Sequence, residues 1–203
     1  MKLKFTKMEG AGNDYIYIDC TRALPCDPAA LARRLSDRHF GVGGDGIVLI
    51  CPSDAADLRM RMFNADGSEA EMCGNAIRCV GKYAYDHGMV RGLEITVETG
   101  GGVKTLDLFP GSDGKIARAR VNMGVPELRP DRIPVLLGGE RCIGETIESD
   151  GRSWAIHCVS MGNPHAVIWV DDAMRFPVAQ YGPGLETHTV FPRRCNIEFA
   201  TVT

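Results

Sequence analysis

Apolar residues alternate with polar ones along much of the chain, and this pattern predicts short strands. Leu58, Met60 and Met62 alternate with Arg59 and Arg61, as expected for a strand with one buried face. Turn-forming residues, such as those at 111–114, separate the apolar runs. Strands are therefore predicted at residues 3–5, 15–19, 47–51, 58–62, 93–98, 103–109 and 116–123, and later in the chain at 142–148, 154–158, 166–170 and 196–203.

Two segments have helical signals instead. Asp27 is a good N-cap, and Pro28 stands at the favoured first position of a helix that places Leu31 and Leu35 on one face. A second helix is predicted to begin at about Cys73 and to stop before Gly88. Its apolar face consists of Ile77, Val80, Tyr83 and Ala84.

A proline-rich segment at residues 124–134 predicts a connection between two lobes, at 1–124 and 125–203. Each lobe contains a Gly-Asn turn that leads into an apolar strand: Gly12-Asn13 in the first and Gly162-Asn163 in the second. This short match indicates a duplicated architecture. The last predicted strand reaches Thr203 with no helix after it, so we expect the second lobe to be incomplete.

The overall composition limits the class of protein. The net charge is −3 and no run of basic residues exceeds a pair, which argues against a nucleic-acid-binding protein. The first residues lack the pattern of a signal peptide, and no apolar run approaches the length of a membrane span. We therefore expect a soluble, cytoplasmic protein. Its eight cysteines form no Cys-x-x-Cys pair, so zinc spacing is absent and no disulfide framework is expected.

Seven of these cysteines are interpreted as small buried apolar residues, and Cys73 is the exception. It ends a polar, turn-rich loop at the point where the second helix begins. Unpaired N–H groups at a helix N-terminus stabilise a thiolate and can also hold a carboxylate, and Gly74 permits close approach of a ligand. Simple burial of Cys73 at a helix start is the alternative, but its neighbours Asn64, Asp66 and Asn75 are polar.

The loop and helix start resemble the signature of the diaminopimelate epimerase family, Asn-x-Asp-Gly-Ser followed by Cys-Gly-Asn and an Arg-Cys pair. Four further ordered blocks extend the resemblance over the chain: Met8–Asp14, Gly41–Gly46, Gly162–His165 and Arg194–Phe199. The resemblance implies an α/β fold of the α+β type, with two pseudo-symmetric lobes that each wrap a mixed sheet around a central helix. It also implies an isomerase of lysine and cell-wall precursor biosynthesis that works as a homodimer.

The implied reaction interconverts LL- and meso-diaminopimelate without pyridoxal phosphate, any other cofactor or a metal. One cysteine from each lobe faces the substrate α-carbon; a thiolate removes the proton on one side and a thiol supplies one on the other. By this resemblance Cys73 is the catalytic cysteine of the first lobe. The implied substrate-binding residues are Asn13, Asn64, Gly74, Asn75, Asn163 and Asn196. His165 is implied as a proton relay or as a residue that supports the turn.

The family carries a second block, Glu-Thr-x-Ala-Cys-Gly-Thr, beyond the position of Thr203. Cys142, Cys158 and Cys195 are not followed by glycine, so none replaces it. We therefore expect the 203-residue chain alone to be inactive or nearly so. Two alternatives remain: a proline or hydroxyproline racemase of similar architecture, in which histidine follows the Cys-Gly pair, and an inactive remnant that only binds substrate.

Overall fold

The computed structural model describes residues 3–202 and has a mixed α+β fold. It divides into two compact units, Met1–Met123 and Gly124–Thr203. Each unit is built on its own sheet, with eight strands in unit 1 and four in unit 2. Among the described residues, no helix is long and apolar enough to cross a membrane.

The described part of unit 1 contains eight strands and two helices. In chain order these are β1 (Thr6–Gly10), β2 (Asn13–Asp19), α1 (Pro28–Ser36), β3 (Gly46–Cys51), β4 (Leu58–Asn64), β5 (Glu69–Ala70), α2 (Gly74–Asp86), β6 (Glu94–Thr99), β7 (Gly102–Pro110) and β8 (Ile116–Val121). The strand order is β1-β2-β3-β4-β6-β7-β8, and β5 pairs with β4. The β2–β3 and β4–β6 pairs are parallel and the other pairs are antiparallel.

The sheet of unit 1 curls around α2. Strands β1 and β8 stand at opposite ends of the strand order, yet both pack against this helix. The side chains of β2 alternate accordingly: Tyr15 and Tyr17 belong to the apolar cluster around α2, whereas Ile16 and Ile18 belong to the cluster under α1. Helix α1 packs on β3 and β4, so both faces of β3 are covered and every residue of that strand is buried.

Up to residue 202, unit 2 contains four strands and one helix. These are β9 (Ile143–Ser149), β10 (Arg152–Ser160), β11 (Pro164–Trp169), α3 (Val178–Glu186) and β12 (Asn196–Ala200). The strand order is β12-β11-β10-β9, and only the β11–β12 pair is parallel. Helix α3 contacts both edge strands, and an apolar cluster that includes Trp154, Ile156, Ile168 and Leu185 fills this unit.

The two units repeat one topology. In unit 1 the hairpin β1–β2 is followed by α1 and by β3, which pairs parallel to β2. In unit 2 the hairpin β10–β11 is followed by α3 and by β12, which pairs parallel to β11. Asn13 stands at the turn of the first hairpin and Asn163 at the turn of the second, as the short Gly-Asn match in the sequence indicates. That the units are the two lobes of an epimerase stays a prediction.

Several local predictions were wrong. Residues 3–5 precede β1, which begins only at Thr6, and the last strand ends at Ala200; the predicted end at Thr203 lies outside the described residues. Helix α3 was not predicted, because Gly182, Pro183 and Gly184 read as turn residues, and the two-residue strand β5 was missed. Cys26 is exposed rather than buried; the other six cysteines assigned to the core are buried.

Candidate active site at the start of helix α2

Cys73 is the N-cap residue of α2. Its backbone is extended, with φ −142° and ψ 119°, and its partly buried side chain makes no capping hydrogen bond. The first N–H groups of a helix have no partner within it, so they remain available near the thiol. Of the residues that the structure describes, a Cβ placed on Gly74 would meet only the Met123 side chain, at 3.8 Å, which is an ordinary contact. The first turn of α2 therefore has room for a ligand next to the thiol.

Tyr15 is buried in β2 and its side chain lies next to Cys73. Burial, together with the neighbouring Cys73 and Asp45, raises the pKa of Tyr15 to about 12. The phenol therefore keeps its proton near neutral pH and can donate a hydrogen bond to a thiolate. Two residues further along the same face, the Tyr17 hydroxyl donates to the Ala76 carbonyl at 3.4 Å. The inner face of β2 thus holds the start of α2.

Asn13 and Asn75 are joined directly. The Nδ2 of Asn75 donates to Oδ1 of Asn13 at 2.6 Å, and Nδ2 of Asn13 donates to Oδ2 of Asp45 at 3.3 Å. The β1–β2 turn approaches α2 closely where this contact forms. A Cβ on Gly10 would lie only 2.9 Å from the Asn75 carbonyl oxygen. The turn therefore places two of the predicted substrate-binding side chains together, next to the residues that follow Cys73.

Asn64 belongs to the same region through the backbone. It ends β4, and its Nδ2 donates to the Ser68 hydroxyl at 3.0 Å. The next amide, that of Ala65, donates to the Asp45 carbonyl at 2.9 Å, and the Asp45 amide donates to the Asp14 carbonyl at 2.7 Å. Asp45 consequently connects the Asn64 loop to the Asn13 turn.

An ion-pair network holds the outer side of this turn. Arg38 contacts both carboxylate oxygens of Asp14, at 2.7 and 3.0 Å, and Oδ1 of Asp45 at 3.0 Å; Lys7 adds a contact to Asp14 at 3.1 Å. The Arg38 guanidinium, with a smaller contribution from Lys7, holds the pKa of Asp14 far below its usual range. The Asp14 carboxylate of the folded protein is therefore charged near neutral pH.

The other three predicted residues lie in unit 2. Asn163 stands at the turn between β10 and β11, and His165 in β11 pairs with Asn196 in β12. The Nδ2 of Asn196 donates to the Pro164 carbonyl at 3.0 Å. His165 Nδ1 lies 2.5 Å from Oε1 of Glu198, and because a carboxylate only accepts, the imidazole proton of this bond is on Nδ1. Within residues 3–202, Nε2 of His165 has no hydrogen-bond partner.

The arrangement in unit 1 combines a thiol, helix N–H groups and oriented amides. Such a set can bind a carboxylate and place a base beside the carbon that carries it. Sequence reasoning missed Tyr15, Asp45, Arg78 and Glu198, whose roles depend on contacts between distant segments. Asp45, Arg78 and Glu198 do stand inside the quoted sequence blocks, and that position was the available signal.

Comparison with known proteins identifies relatives of this chain. The family model described as diaminopimelate epimerase matches residues 5–128. The diaminopimelate epimerase of Acetivibrio thermocellus is 52% identical over 200 residues, which cover 98% of this chain and 71% of that protein. The proteins of the same name from Leptospira biflexa and Methanococcus maripaludis are each 50% identical, over 204 and 197 residues. They are covered over 72% and 71% of their lengths.

Solved structures with lower identity share the fold. A probable proline racemase from Agrobacterium radiobacter has a TM-score of 0.57 at 15% identity, with 92% of this chain and 55% of that chain covered. A Bacillus anthracis protein of the PhzF phenazine biosynthesis family has a TM-score of 0.56 at 19% identity, with 84% and 57% covered. At such identities the likeness describes the architecture only.

Proposed function

Because this chain belongs to the diaminopimelate epimerase family, we propose that Cys73 is the base that removes the α-proton of diaminopimelate from one side. The activity is that of an isomerase, which interconverts the LL and meso forms at one α-carbon. The observation that carries the proposal is the position of Cys73 at the start of α2, next to the joined amides of Asn13 and Asn75.

The chemistry follows from this geometry. The α-hydrogen of an amino acid is a weak acid, so a catalyst must stabilise the carbanion that forms when the proton leaves. The free N–H groups of the first turn of α2 hold the α-carboxylate, and the thiolate of Cys73 takes the proton. The Tyr15 hydroxyl stabilises that thiolate, because the phenol stays protonated. A thiol on the opposite side of the carbon then returns a proton and inverts the centre.

Asn13, Asn64 and Asn75 bind the polar groups of the substrate in this proposal, with Gly74 leaving space for them. Amide side chains suit an amino acid because each offers donors and an acceptor. Asn163, Asn196 and His165 are the residues that unit 2 contributes. Glu198 holds the His165 ring through Nδ1, which leaves Nε2 available for proton exchange. Neither a metal nor pyridoxal phosphate has a role in this mechanism.

The proposed mechanism needs a second thiol, and this requirement distinguishes the 203-residue chain from a longer protein that carries one. No cysteine of unit 2 among the described residues stands at the N-terminus of a helix: Cys142, Cys158 and Cys195 are all buried, and α3 begins at Val178. We therefore expect the 203-residue chain to epimerise roughly 10²–10⁴ times more slowly than a protein with both thiols. The comparison protein, called the extended enzyme below, is this chain joined at Thr203 to the C-terminal residues of the Acetivibrio thermocellus relative beyond the matched stretch.

The test measures conversion of LL-diaminopimelate by both proteins, with chiral chromatography of the product. Rapid formation of the meso isomer by the extended enzyme and slow formation by the 203-residue chain support the proposal. Full-rate conversion by the 203-residue chain would contradict the requirement for a second thiol. An extended enzyme that is folded but inactive would contradict the proposed function and favour a protein that only binds the substrate.

A racemase acting on proline or hydroxyproline is the second candidate. Its support is the fold shared with a probable proline racemase. Asn75 argues against it, because the racemases of that type place histidine after the Cys-Gly pair. The extended enzyme should therefore leave L-proline unchanged under conditions in which diaminopimelate reacts, and racemisation of proline would reverse the assignment.

We also propose that the protein is a cytoplasmic homodimer. Cysteines without disulfides, as all eight are here, suit a reducing compartment. The dimer rests on the family resemblance, and sedimentation equilibrium of the extended enzyme tests it. A single species with the mass of one chain at micromolar concentration would contradict the dimer.

A further inference from the structure

A chain of hydrogen bonds runs through the two amides beside Cys73 and ends in a charged group on each side. We propose that Arg78 and Asp45 are positioning residues that lock the Asn13 and Asn75 amides in one orientation, with an N–H of each left for a carboxylate of the substrate. The proposal rests on the proposed function and adds to it two residues that do not themselves contact the substrate.

The chain has a direction. Arg78 Nη2 donates to Oδ1 of Asn75 at 2.6 Å, and Asn75 Nδ2 donates to Oδ1 of Asn13 at 2.6 Å. Asn13 Nδ2 then donates to Oδ2 of Asp45 at 3.3 Å. A guanidinium only donates and a carboxylate only accepts, so the two ends fix which atom of each amide points which way.

The opposite orientation is excluded by these ends. If the Asn75 amide turned over, its NH₂ group would face the Arg78 guanidinium and two donors would meet. If the Asn13 amide turned over, its oxygen would face the Asp45 carboxylate and two acceptors would meet. Donors that face donors, and acceptors that face acceptors, lose their hydrogen bonds, so the turned-over orientations are disfavoured.

Both ends are anchored to other parts of unit 1. Asp45 accepts from Arg38 through Oδ1 and from the Asp14 amide through Oδ2, at 3.0 and 3.2 Å. These two bonds hold the Asp45 carboxylate in place independently of Asn13. Arg78 lies on α2 three residues after Asn75, so the helix itself sets the distance between the guanidinium and the amide.

In both amides, these bonds use one N–H of the NH₂ group and leave the other unused. Each Nδ2 carries two hydrogens, and among the described residues each is bonded to one acceptor only. The second N–H of Asn13 and that of Asn75 therefore remain available near the free N–H groups at the start of α2. A cluster of fixed donors suits an anion, and the substrate offers carboxylates. Fixing the donors in advance lowers the entropy cost of binding.

The test substitutes Asp45→Asn, which keeps the shape of the side chain but allows Asn13 to bond either way. Asp107→Asn is the matched control, because it makes the same chemical change at a carboxylate that is paired with Arg120 on the outer strands. In the extended enzyme we expect kcat/KM of the Asp45 variant to fall roughly 10- to 100-fold, mainly through a higher KM. The control should retain the wild-type KM.

A second pair addresses the other end of the chain. Arg78→Met should raise KM as Asp45→Asn does, and Arg78→Lys should restore part of the loss because a donor is retained. A purely structural role would lower the melting temperature of the variants without this selective change of KM and this rescue. A KM of Asp45→Asn equal to that of the wild type, in a variant that is folded, would overturn the proposal.

Side-chain amide exchange separates this proposal from the proposed function. In the 203-residue chain, we expect slow hydrogen exchange at the hydrogen-bonded N–H of the Asn13 and Asn75 side-chain amides, and faster exchange there in Asp45→Asn than in Asp107→Asn. An extended wild-type enzyme without activity would defeat the proposed function, and the exchange rates would still decide whether the amides are locked. Equal exchange rates in both variants would show that they are not.

Discussion

Substitution of Gly10 tests the close approach that builds the site. In Gly10→Ala the new Cβ would lie 2.9 Å from the Asn75 carbonyl oxygen and 3.4 Å from its carbonyl carbon. Relief of the shorter contact to 3.4 Å requires the turn and α2 to separate by about 0.5 Å. An overpacked contact of this kind costs about 1–3 kcal/mol, and for a protein of this size each kcal/mol lowers the melting temperature by about 2–4 °C.

The assay is urea denaturation of the 203-residue chain, with Gly74→Ala as the control. The control places its Cβ at an ordinary 3.8 Å from the Met123 side chain, so its free energy of unfolding should not decrease. In the extended enzyme, however, Gly74→Ala should raise KM, because the methyl group occupies space that the ligand needs. A Gly10→Ala protein as stable as the wild type would refute the reasoning, as would equal destabilisation by the two substitutions.

Three further predictions concern the thiol, acid stability and cofactors. Cys73 should react with iodoacetamide faster than any other cysteine, including the exposed Cys26, and peptide mass mapping that finds Cys26 labelled first would contradict its activation. Asp14 has a lowered pKa in the folded state, so its contribution to stability is complete above its pKa in the unfolded chain, roughly 3.9, and is lost as the pH falls further. The difference in unfolding free energy between wild type and Asp14→Asn should therefore shrink from pH 7 to pH 2. A constant difference would exclude the ion pair as its source. Activity of the extended enzyme should survive EDTA and hydroxylamine, and loss with either reagent would indicate a metal or pyridoxal phosphate.

Local sequence signals predicted most of the elements. Asp27 does cap α1, through a bond from the Ala30 amide to its carboxylate at 2.9 Å, and Gly88 follows α2 with a φ of 69°. The period-two pattern placed β4 and β7 to within a few residues. Helix α3 escaped detection because its apolar face is short and its interior contains Pro183, so that tertiary packing rather than local propensity maintains it.

The site was predictable in its residues but not in its bonding. The Cys-Gly-Asn block identified Cys73 and Asn75, because a thiol at a helix start is a local feature of the sequence. The bond between Asn75 and Asn13 joins residues 62 positions apart, and that between Asn13 and Asp45 spans 32. The parallel pairing of β2 with β3 brings Asn13 to Asp45, and the packing of β1 and β2 on α2 brings Asn13 to Asn75. Neither pairing nor packing between distant segments is encoded by a local periodicity.

The role of Cys73 as the base is the central claim, and deuterium incorporation tests it most directly. The extended enzyme, its Cys73→Ala variant and its Cys79→Ala variant are incubated with LL-diaminopimelate in D₂O, and both deuterium at the α-carbon and stereochemistry are followed. We expect meso product that carries deuterium from the wild type and from Cys79→Ala, and a rate lower by roughly 10²–10⁴ from Cys73→Ala. Deuterated meso product formed by Cys73→Ala at the wild-type rate would contradict the account.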